Sequence, residues 1–309
     1  MTTYPNLRQL ADERVALING VLPKVVGVLL GRRRTLSGIR WRGDLIVTAA
    51  DAVAEVERVS VVIDGLEKDA EVVAIDLGTA IAVLRIATGA DSSQSNQVPV
   101  ESANAPDSLL RTGEPIAMIG YTQRGLGVLW GNVLLAGPAW NSRRGGKIAQ
   151  RLELDVRFDG VFEGAAVIDM TGRVAAMAVP GPRAQVLGIP AATIESVVNQ
   201  VEQHGHLPKP YIGVRLQPLW LDDHTRAQLG RASRAIAAVG GVDEGSPAAE
   251  AHVQLGDLLL TLDGEPAENA TALAQRIASI SPGNTIALEV LRGGQPLVIK
   301  VKVGERPRH

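Results

Sequence analysis

Residues 158–172 read Phe158-Asp-Gly-Val-Phe-Glu-Gly-Ala-Ala-Val-Ile-Asp-Met-Thr-Gly172. Gly160 and Gly164 lie on either side of Glu163, an acid in an otherwise apolar turn, and the mostly apolar run Ala166–Asp169 that follows predicts a buried strand. The stretch contains neither serine nor cysteine, the side chains that most often attack a substrate. It therefore predicts a turn that leads into a sheet and carries no nucleophile.

Short β-branched strands lie on both sides of this stretch, with almost no helix between them. Such a pattern indicates antiparallel barrels or a sandwich. A helix is predicted before the strands at Leu7–Ile18 and after them at Ala192–Gln203, and residues 88–108 are predicted to form a polar loop. The predicted strands are Val25–Leu30, Ile39–Trp41, Leu45–Thr48, Val59–Ile63, Val72–Ile75, Ile81–Ile86, Arg111–Gly120 (with a turn at its start), Val128–Leu135, Arg151–Val156, Ala166–Asp169, Val174–Ala178 and Val186–Ile189.

The segment 204–210 has the Gly and Pro content of a linker, and the pattern changes after it. Ser246 precedes Pro247 as a helix N-cap, and a second helix is predicted at Asn269–Ile280. The strand patterns alternate with these helices, which predicts a small α+β module. Its predicted strands are Tyr211–Leu216, Ile236–Val239, Leu258–Leu262, Thr285–Arg292 and Leu297–Val303.

Composition excludes several classes of function. The chain has 309 residues, of which 46% are hydrophobic, and a net charge of −2, which gives no electrostatic reason to expect nucleic-acid binding. It has no cysteine, so disulfides, thiolate catalysis and cysteine-ligated zinc are excluded. No cofactor or metal is predicted, since His204 and His206 stand in a Gly/Pro linker without a partner ligand nearby. The two basic runs, Arg32–Arg34 and Arg143–Lys147, are predicted to be exposed hairpin tips, with a contact for an acidic partner as the alternative.

The first thirty residues carry no pattern typical of a leader peptide or a membrane span. Met1 to Arg14 lacks a basic head followed by an apolar run, and Asn19, Pro23 and Lys24 interrupt the apolar segment that follows. These features predict a cytoplasmic protein.

Several segments resemble, in order and spacing, the HtrA (Deg) family of trypsin-fold serine proteases with a PDZ domain. Leu45–Val53 resembles the strand and loop that carry the catalytic histidine, and Asp76–Ile86 the segment that carries the catalytic aspartate. Asp155 and Gly188-Ile-Pro190 match landmarks near the nucleophile loop and the substrate strand. The resemblance implies a mainly β fold: a trypsin-like double six-stranded β-barrel followed by a small α+β PDZ domain. It divides the chain into an N-terminal helix at 1–22, the trypsin-like domain at 23–203, a linker at 204–210 and the PDZ domain at 211–305.

The same resemblance places other residues at the three catalytic positions. Asp51 stands where the family has histidine, Ala80 where it has aspartate, and Glu163 where it has serine. Val161 and Phe162 replace the small residues that shape the oxyanion turn. The resemblance therefore implies no catalytic residue in this chain.

The residues themselves lead to the same prediction. Serine attack needs a base within hydrogen-bond reach, normally a histidine, and all five histidines lie beyond residue 203. A serine–lysine dyad stays open in principle, but Lys24, Lys68 and Lys147 have polar, turn-like neighbours typical of solvated surface residues. If the fold is kept, Asp51 and Glu163 face each other. They are then either solvated acids in an empty cleft, an acid–base pair or a weak cation site.

In the second module, Tyr211-Ile212-Gly213-Val214 matches the family's carboxylate-binding loop. A glycine lets successive N–H groups point at a peptide carboxylate, and the next strand can accept the peptide as another strand. The helix Asn269–Ile280 is either the second wall of that groove or part of the core through Leu273 and Ile277. A PDZ domain that packs on its neighbour and binds nothing is the alternative.

The sequence predicts a catalytically inactive pseudoprotease that binds or scaffolds polypeptides, by a C-terminal or extended segment, through its PDZ domain. The alternatives are an active serine endopeptidase with a non-standard catalytic arrangement and a carboxylate hydrolase using Asp51 and Glu163. The predicted partner is a protein or peptide, with no nucleic acid and no membrane span. The N-terminal helix either packs on its own domain or forms a homo-oligomer contact, in a trimer as the resemblance implies.

Overall fold

The computed structural model of the protein describes residues 5–31, 34–87, 109–142, 144–156, 162–207, 210–228, 233–267, 269–278, 280 and 282–306. The chain forms two compact units: the first contains the residues up to 142 and 146–207, and the second contains 143–145 and the residues from 208 onward. The predicted loop 88–108 lies outside the described residues. So do residues 157–161 of the turn before Glu163, and Arg32, Arg33 and Arg143 of the basic runs.

Six antiparallel strands close a first barrel in the order β1-β2-β3-β6-β5-β4. Its interior is filled by alternate β-branched and leucine side chains, including Val28, Leu36, Ile46, Val61 and Leu84, all fully buried. The elements are β1 (Val25–Leu30), β2 (Arg34–Arg42), β3 (Leu45–Ala49), the one-turn helix α2 (Ala50–Val53), β4 (Arg58–Ile63), β5 (Leu66–Asp76) and β6 (Ile81–Ile86), after a helix α1 (Pro5–Val21) and a 3₁₀ turn (Leu22–Lys24).

Six further strands close a second barrel in the order β11-β14-β13-β12-β7-β8, beside a two-stranded ribbon of β9 and β10. Its elements are β7 (Pro115–Thr122), β8 (Gly125–Gly137), β9 (Trp140–Asn141), β10 (Lys147–Ile148), β11 (Arg151–Asp155), β12 (Ala166–Ile168), β13 (Val174–Pro180), a 3₁₀ turn (Pro182–Ala184), β14 (Val186–Pro190) and a helix α3 (Ala191–His204).

One apolar core is shared by both barrels and the two long helices. Ile39 of the first barrel, Ile119 of the second and Ile194 of α3 are all fully buried in it. The Trp41 indole N–H donates to buried Glu195 of α3 at 2.8 Å, which satisfies both polar groups. The two barrels are thus fixed to each other by burial rather than by a flexible connection.

The second unit is a small α+β domain around a sheet in the order β16-β17-β18-β20-β21, with β19 paired to β18. β15 and β22 pair separately. The elements are β15 (Pro210–Tyr211), β16 (Val214–Trp220), α4 (Asp223–Gln228), β17 (Ala235–Val242), α5 (Pro247–Glu250), β18 (Leu258–Leu262), β19 (Glu265–Pro266), α6 (Ala270–Ala278), β20 (Thr285–Arg292), β21 (Gln295–Lys302) and β22 (Gly304–Glu305).

The predicted fold class is confirmed: a mainly β chain with two closed six-stranded barrels and a small α+β domain. Several elements differ in their bounds from the sequence prediction, and two of these differences concern the predicted site. β2 begins at Arg34 rather than Ile39, and Ala50–Val53 forms a helical turn that the short apolar run did not predict. None of the helices in the described part of the chain is long and apolar enough to cross a membrane.

Candidate functional site

The turn around Glu163 is fixed by its own main chain. The N–H of Ala165 donates to the Phe162 carbonyl at 3.0 Å, and the N–H of Gly164 donates to the Ala178 carbonyl of β13 at 2.9 Å. Gly164 has a φ of +81°, a conformation that residues with a Cβ rarely adopt. The side chain of Phe162 is buried and its ring lies against Gly120 of β7. The turn therefore has one well-defined conformation.

The same turn is bound to the first barrel. The Ser37 N–H of β2 donates to the Glu163 carbonyl at 2.8 Å, and the Thr48 hydroxyl of β3 donates to the Ser37 carbonyl at 2.7 Å. The Ser37 hydroxyl in turn accepts from the Tyr121 N–H of β7 at 2.9 Å. A Cβ on Gly164 would overlap the Ser37 carbonyl oxygen. Glu163 therefore lies where the two barrels meet.

The Glu163 side chain is buried and ion-paired. It is 7% exposed, and Nη2 of Arg34 lies 2.9 Å from its Oε2. Arg34 is 55% exposed and stands at the start of β2, across the barrel junction from the turn. A buried carboxylate without a partner would be costly, so the guanidinium accounts for the acid at this place.

Asp51 and Ala80 lie close to the same strands. Asp51 is exposed on α2, three residues after Thr48. Ala80 has a φ of +61°, and its carbonyl accepts from the Ala50 N–H at 3.1 Å. The helical turn α2 thus carries Asp51 and contacts the Ala80 turn, and Thr48 of the preceding strand β3 supports, through Ser37, the turn at Glu163.

This geometry does not favour the cation site or the acid–base pair. Asp51 is exposed whereas Glu163 is buried, and the Glu163 carboxylate is already bound by Arg34. Among the residues that the structure describes, no group of three or more His, Cys, Asp or Glu side chains could hold a metal ion.

Two of the three lysines of the first unit are exposed as predicted, and His204 lies at the end of a helix rather than in the predicted linker. Lys68 and Lys147 are exposed and Lys24 is half-buried. His204 ends α3, where it is exposed and its Nδ1 lies 3.0 Å from the Gln200 carbonyl. His206 is the next histidine and its Nδ1 lies 2.8 Å from the His204 carbonyl.

In the second unit, the loop from Tyr211 to Val214 has both inner carbonyls occupied. The Ile212 carbonyl accepts from the Ala248 N–H of α5 at 2.8 Å, and the Gly213 carbonyl accepts from the Asp243 N–H at 2.8 Å. All the described peptide bonds are trans, so the N–H that follows each carbonyl points the other way. The amides of Gly213 and Val214 are therefore directed away from α5 and from the Asp243 turn.

Gly213 is required by this loop. Its φ is +78°, and a Cβ there would overlap Cβ and Oγ of Ser246, the N-cap of α5. Successive N–H groups around a left-handed residue form a concave site for an anion. The Tyr211 hydroxyl donates to Asp243 at 2.9 Å, and this bond raises the pKa of the phenol above its ordinary value.

Next to this loop, β16 is an edge strand of the sheet and α6 packs beside it. Leu273 and Ile277 of α6 are buried in the core of this unit, with exposures of 1% and 7%. Of the two roles that the sequence left open for these side chains, groove wall or core, the structure therefore shows the core.

Sequence reasoning missed Ser37, Thr48 and Arg34 as neighbours of Glu163. The sequence predicts Arg34, with Arg32 and Arg33, as part of an exposed basic run. It lies 129 residues from Glu163 in the chain, and no local pattern could indicate that the two side chains pair. The only available signal was an acid in an otherwise apolar turn, which needs a cation if it is buried.

Comparison with known proteins agrees with this geometry. Residues 36–177 match the family described as "Trypsin-like peptidase domain", and residues 210–303 match the family described as "PDZ domain". A protein of Bartonella henselae named "Probable periplasmic serine endoprotease DegP-like" is 30% identical over 274 residues, which cover 85% of this chain and 51% of that protein. The protein of the same name from Brucella suis is 28% identical over 272 residues, with 85% and 50% covered.

A solved structure described as "HtrA-type protease AlgW with decapeptide" superposes with a TM-score of 0.67 at 21% identity. The match covers 96% of this chain and 99% of that one, and at this identity it shows the fold. The chain spans about half the length of the two DegP-like relatives.

The names of these relatives contradict the predicted cytoplasmic location, since both are described as periplasmic. The prediction was wrong because it relied on the absence of a leader-like pattern, and that absence does not identify a compartment. The order of two barrels and a PDZ domain, the turn that joins the barrels and the matches to both domain families have one explanation: the chain belongs to the HtrA/Deg-type family of trypsin-fold serine proteases with a C-terminal PDZ domain.

Proposed function

We propose that this protein is a catalytically inactive member of its family, a pseudoprotease that binds polypeptides through its PDZ domain. The observation that carries the proposal is Glu163: the residue in the turn between the barrels is a buried carboxylate bound to Arg34 at 2.9 Å. A carboxylate held by a guanidinium is a poor nucleophile, and Asp51 and Ala80 offer no imidazole to activate one.

The surroundings of Glu163 support the same proposal. Acyl transfer needs N–H groups aimed at a developing oxyanion beside the nucleophile. Here Phe162, which precedes Glu163, is buried against Gly120. The turn is thus used to join the barrels, through the bond from the Ser37 N–H to the Glu163 carbonyl.

The main alternative is an active serine endopeptidase, which the names of the DegP-like relatives favour. A fluorophosphonate probe applied to the full chain separates the two, with trypsin as the positive control. The proposal predicts no covalent labelling and no cleavage of unfolded casein. Stoichiometric labelling of a serine before residue 207 would overturn it.

Polypeptide binding is proposed for the loop formed by Tyr211, Ile212, Gly213 and Val214. The outward amides of Gly213 and Val214 and the free edge of β16 support it, because together they suit a chain terminus added as a strand. The AlgW structure contains a decapeptide, which supports the proposal by similarity of fold.

The test is fluorescence anisotropy of labelled octapeptides with the full chain. Each peptide is made with a free C-terminal carboxylate and with a C-terminal amide. The proposal predicts that the acid binds and that the amide binds at least about tenfold more weakly, since a charged hydrogen-bond acceptor is removed. Equal binding of both forms would contradict a carboxylate site.

Assembly and location complete the proposal. Helix α1 exposes Leu7, Leu10 and Val15, with exposures of 64%, 47% and 58%, which supports a homo-oligomer, a trimer by family resemblance. The names of the relatives support a place in the periplasm. Light scattering after size exclusion tests the assembly: a monomer at micromolar concentration would contradict it.

A further inference from the structure

The hydrogen bonds of β17 decide which residues of β16 face the free edge. Val239 of β17 donates to the Asp257 carbonyl and accepts from the Gly256 N–H, both at 2.9 Å, so its polar groups point away from β16. Leu216 lies directly opposite Val239. In an antiparallel pair, two residues directly opposite each other either both direct their N–H and C=O towards the partner strand or both direct them away from it. Leu216 therefore offers both groups to the free edge.

Two residues further along, Pro218 faces the same side. Proline has no N–H, and within a sheet it occupies positions whose missing donor faces solvent. The register of Pro218 with Ala237 agrees with this orientation. The edge of β16 therefore presents amide donors at Val214 and Leu216 and none at Pro218, where the ring also occupies the space of an added strand.

These positions fix how far a ligand can extend as a strand. A terminal carboxylate held by the amides of Gly213 and Val214 puts the last ligand residue beside Val214. The residue two before the end then lies opposite Leu216, and the residue four before the end lies opposite Pro218. Strand pairing between the ligand and β16 must therefore stop after the ligand residue opposite Leu216 and before the one opposite Pro218.

The side chains of β16 alternate between two faces. Val214 and Leu216 pack towards the core of the unit, so Arg215 and Gln217 lie on the other face. Two glycines of β17 make room for them: the Arg215 guanidinium lies over Gly241, and Gln217 lies over Gly240.

Arg215 supplies a positive charge on that face. It is 72% exposed, and its nearest acid is Asp243 at 3.7 Å, a loose ion pair. Directly opposite residues of neighbouring strands have side chains on the same face. The side chain of the penultimate ligand residue would therefore lie beside Arg215.

We propose that this PDZ domain reads only the last four residues of a polypeptide and prefers an acidic residue at the penultimate position. Pro218 sets the length and Arg215 the charge. The inference rests on the proposed function, because it requires a carboxylate bound at the Tyr211–Val214 loop.

The test uses the full chain and labelled peptides with free C-termini in two series. One series has five, seven or nine residues with the same ending. The other carries Glu, Gln or Lys at the penultimate position. We expect the three lengths to bind within about twofold of each other, and Glu to bind about two- to fivefold more tightly than Gln, with Lys weakest, as for an exposed ion pair.

Variants with matched controls assign each effect. Pro218→Thr restores an edge donor, so the nine-residue peptide should then bind about fivefold more tightly than the five-residue one. Pro296→Thr on β21, the opposite edge strand, should leave the lengths equal. Arg215→Gln should remove the preference for Glu, and Arg215→Glu should reverse it towards Lys. Lys300→Gln on β21 makes the same charge change as Arg215→Gln and should preserve the preference.

The outcomes separate this inference from the proposed function. If acid-terminated peptides bind but Glu and Lys are equal, or if longer peptides already bind more tightly to the unchanged chain, the inference is overturned and the carboxylate site stands. If no peptide binds, or if amidated peptides bind as well as acids, the proposed function fails and the inference fails with it.

Discussion

The turn at Glu163 and the loop at Gly213 use the same backbone device for different purposes. Each contains a glycine with positive φ that packs against a neighbouring segment with no room for a Cβ, Ser37 for Gly164 and Ser246 for Gly213. At the first, the functional groups that the family resemblance implies are the side chains of histidine, aspartate and serine. This chain has Asp51, Ala80 and Glu163 at those positions. At the second, they are main-chain amides.

The difference shows why a site made of side chains and a site made of main-chain amides respond differently to substitution. A catalytic triad depends on the identity of three side chains, so three substitutions remove it while the barrels stay packed. The proposed carboxylate site consists of main-chain amides and depends on backbone conformation, which Gly213 and the hydrogen bonds from Ala248 and Asp243 maintain. We therefore expect the second site to resist most substitutions that leave the loop folded.

The largest expected effect is on stability, and it comes from a substitution in the Glu163 turn that leaves the side chains at positions 51, 80 and 163 unchanged. Gly164→Ala forces a Cβ against the Ser37 carbonyl at a residue with φ of +81°, and should lower the free energy of unfolding of the first unit by about 3–5 kcal/mol. Chemical denaturation followed by tryptophan fluorescence measures it. Gly20→Ala, in α1 with no atom near the added Cβ, is the control and should be neutral or stabilising.

The next effect breaks the second site in the same way. Gly213→Ala should weaken acid-terminated peptides at least about a hundredfold, roughly 2.7 kcal/mol, because the loop must move away from Ser246. Adding Ser246→Gly removes the overlapping atoms at a cost of a few tenths of a kcal/mol in helix capping, and should recover part of the affinity. Undiminished binding by Gly213→Ala alone would show that the loop is not the site.

The pH dependence of stability allows the two units to be compared, because each contains a buried acid. Burial alone would raise the pKa of Asp169 in the first unit and of Asp257 in the second. Hydrogen bonds from Thr171 and Arg173, and from Arg292 and the Gln254 N–H, outweigh burial and lower both pKa values. A lowered pKa contributes stability that is present above the unfolded pKa of about 3.9 and is lost as pH falls through the folded value.

We therefore expect the melting temperature of both units to fall below about pH 4 in calorimetry. Asp257→Asn should lower the free energy of unfolding of the second unit by about 2 kcal/mol at pH 7, because Arg292 loses its buried partner. It should also weaken the fall of that unit's melting temperature below about pH 4. Glu244→Gln, at an exposed position of the same unit, should do neither.

The smallest effect tests the ion pair between the barrels. Arg34→Gln leaves the buried Glu163 carboxylate without its guanidinium, and should lower the free energy of unfolding of the first unit by about 1 kcal/mol, since Arg34 is half-exposed. Arg58→Gln on the same barrel is the matched control. If the two variants unfold alike, the pair contributes nothing, and Glu163 is held by its main chain alone.

More of the fold than of the candidate site could be predicted from the sequence. The strand pattern predicted antiparallel barrels or a sandwich, followed by a small α+β module. The family resemblance implied the two barrels and the PDZ domain, and it identified Leu45–Val53 and Asp76–Ile86 as segments of the site. The contacts that support Glu163 were not predictable, because Ser37, Thr48 and Arg34 come from strands more than a hundred residues away. Periodicity reports which face of a strand is buried, and carries no information on which distant strand meets it.

By itself, the sequence determined the class of fold, the order of its domains, the absence of a serine at the Glu163 turn and the glycine in the Tyr211–Val214 loop. These are local properties, set by side-chain size, polarity and backbone freedom. Only the tertiary structure decided that Glu163 is buried against Arg34, that Leu273 and Ile277 fill the core, and that Leu216 and Pro218 face the free edge of β16. Each of these depends on strand register and on burial, which come into being only when remote parts of the chain pack together.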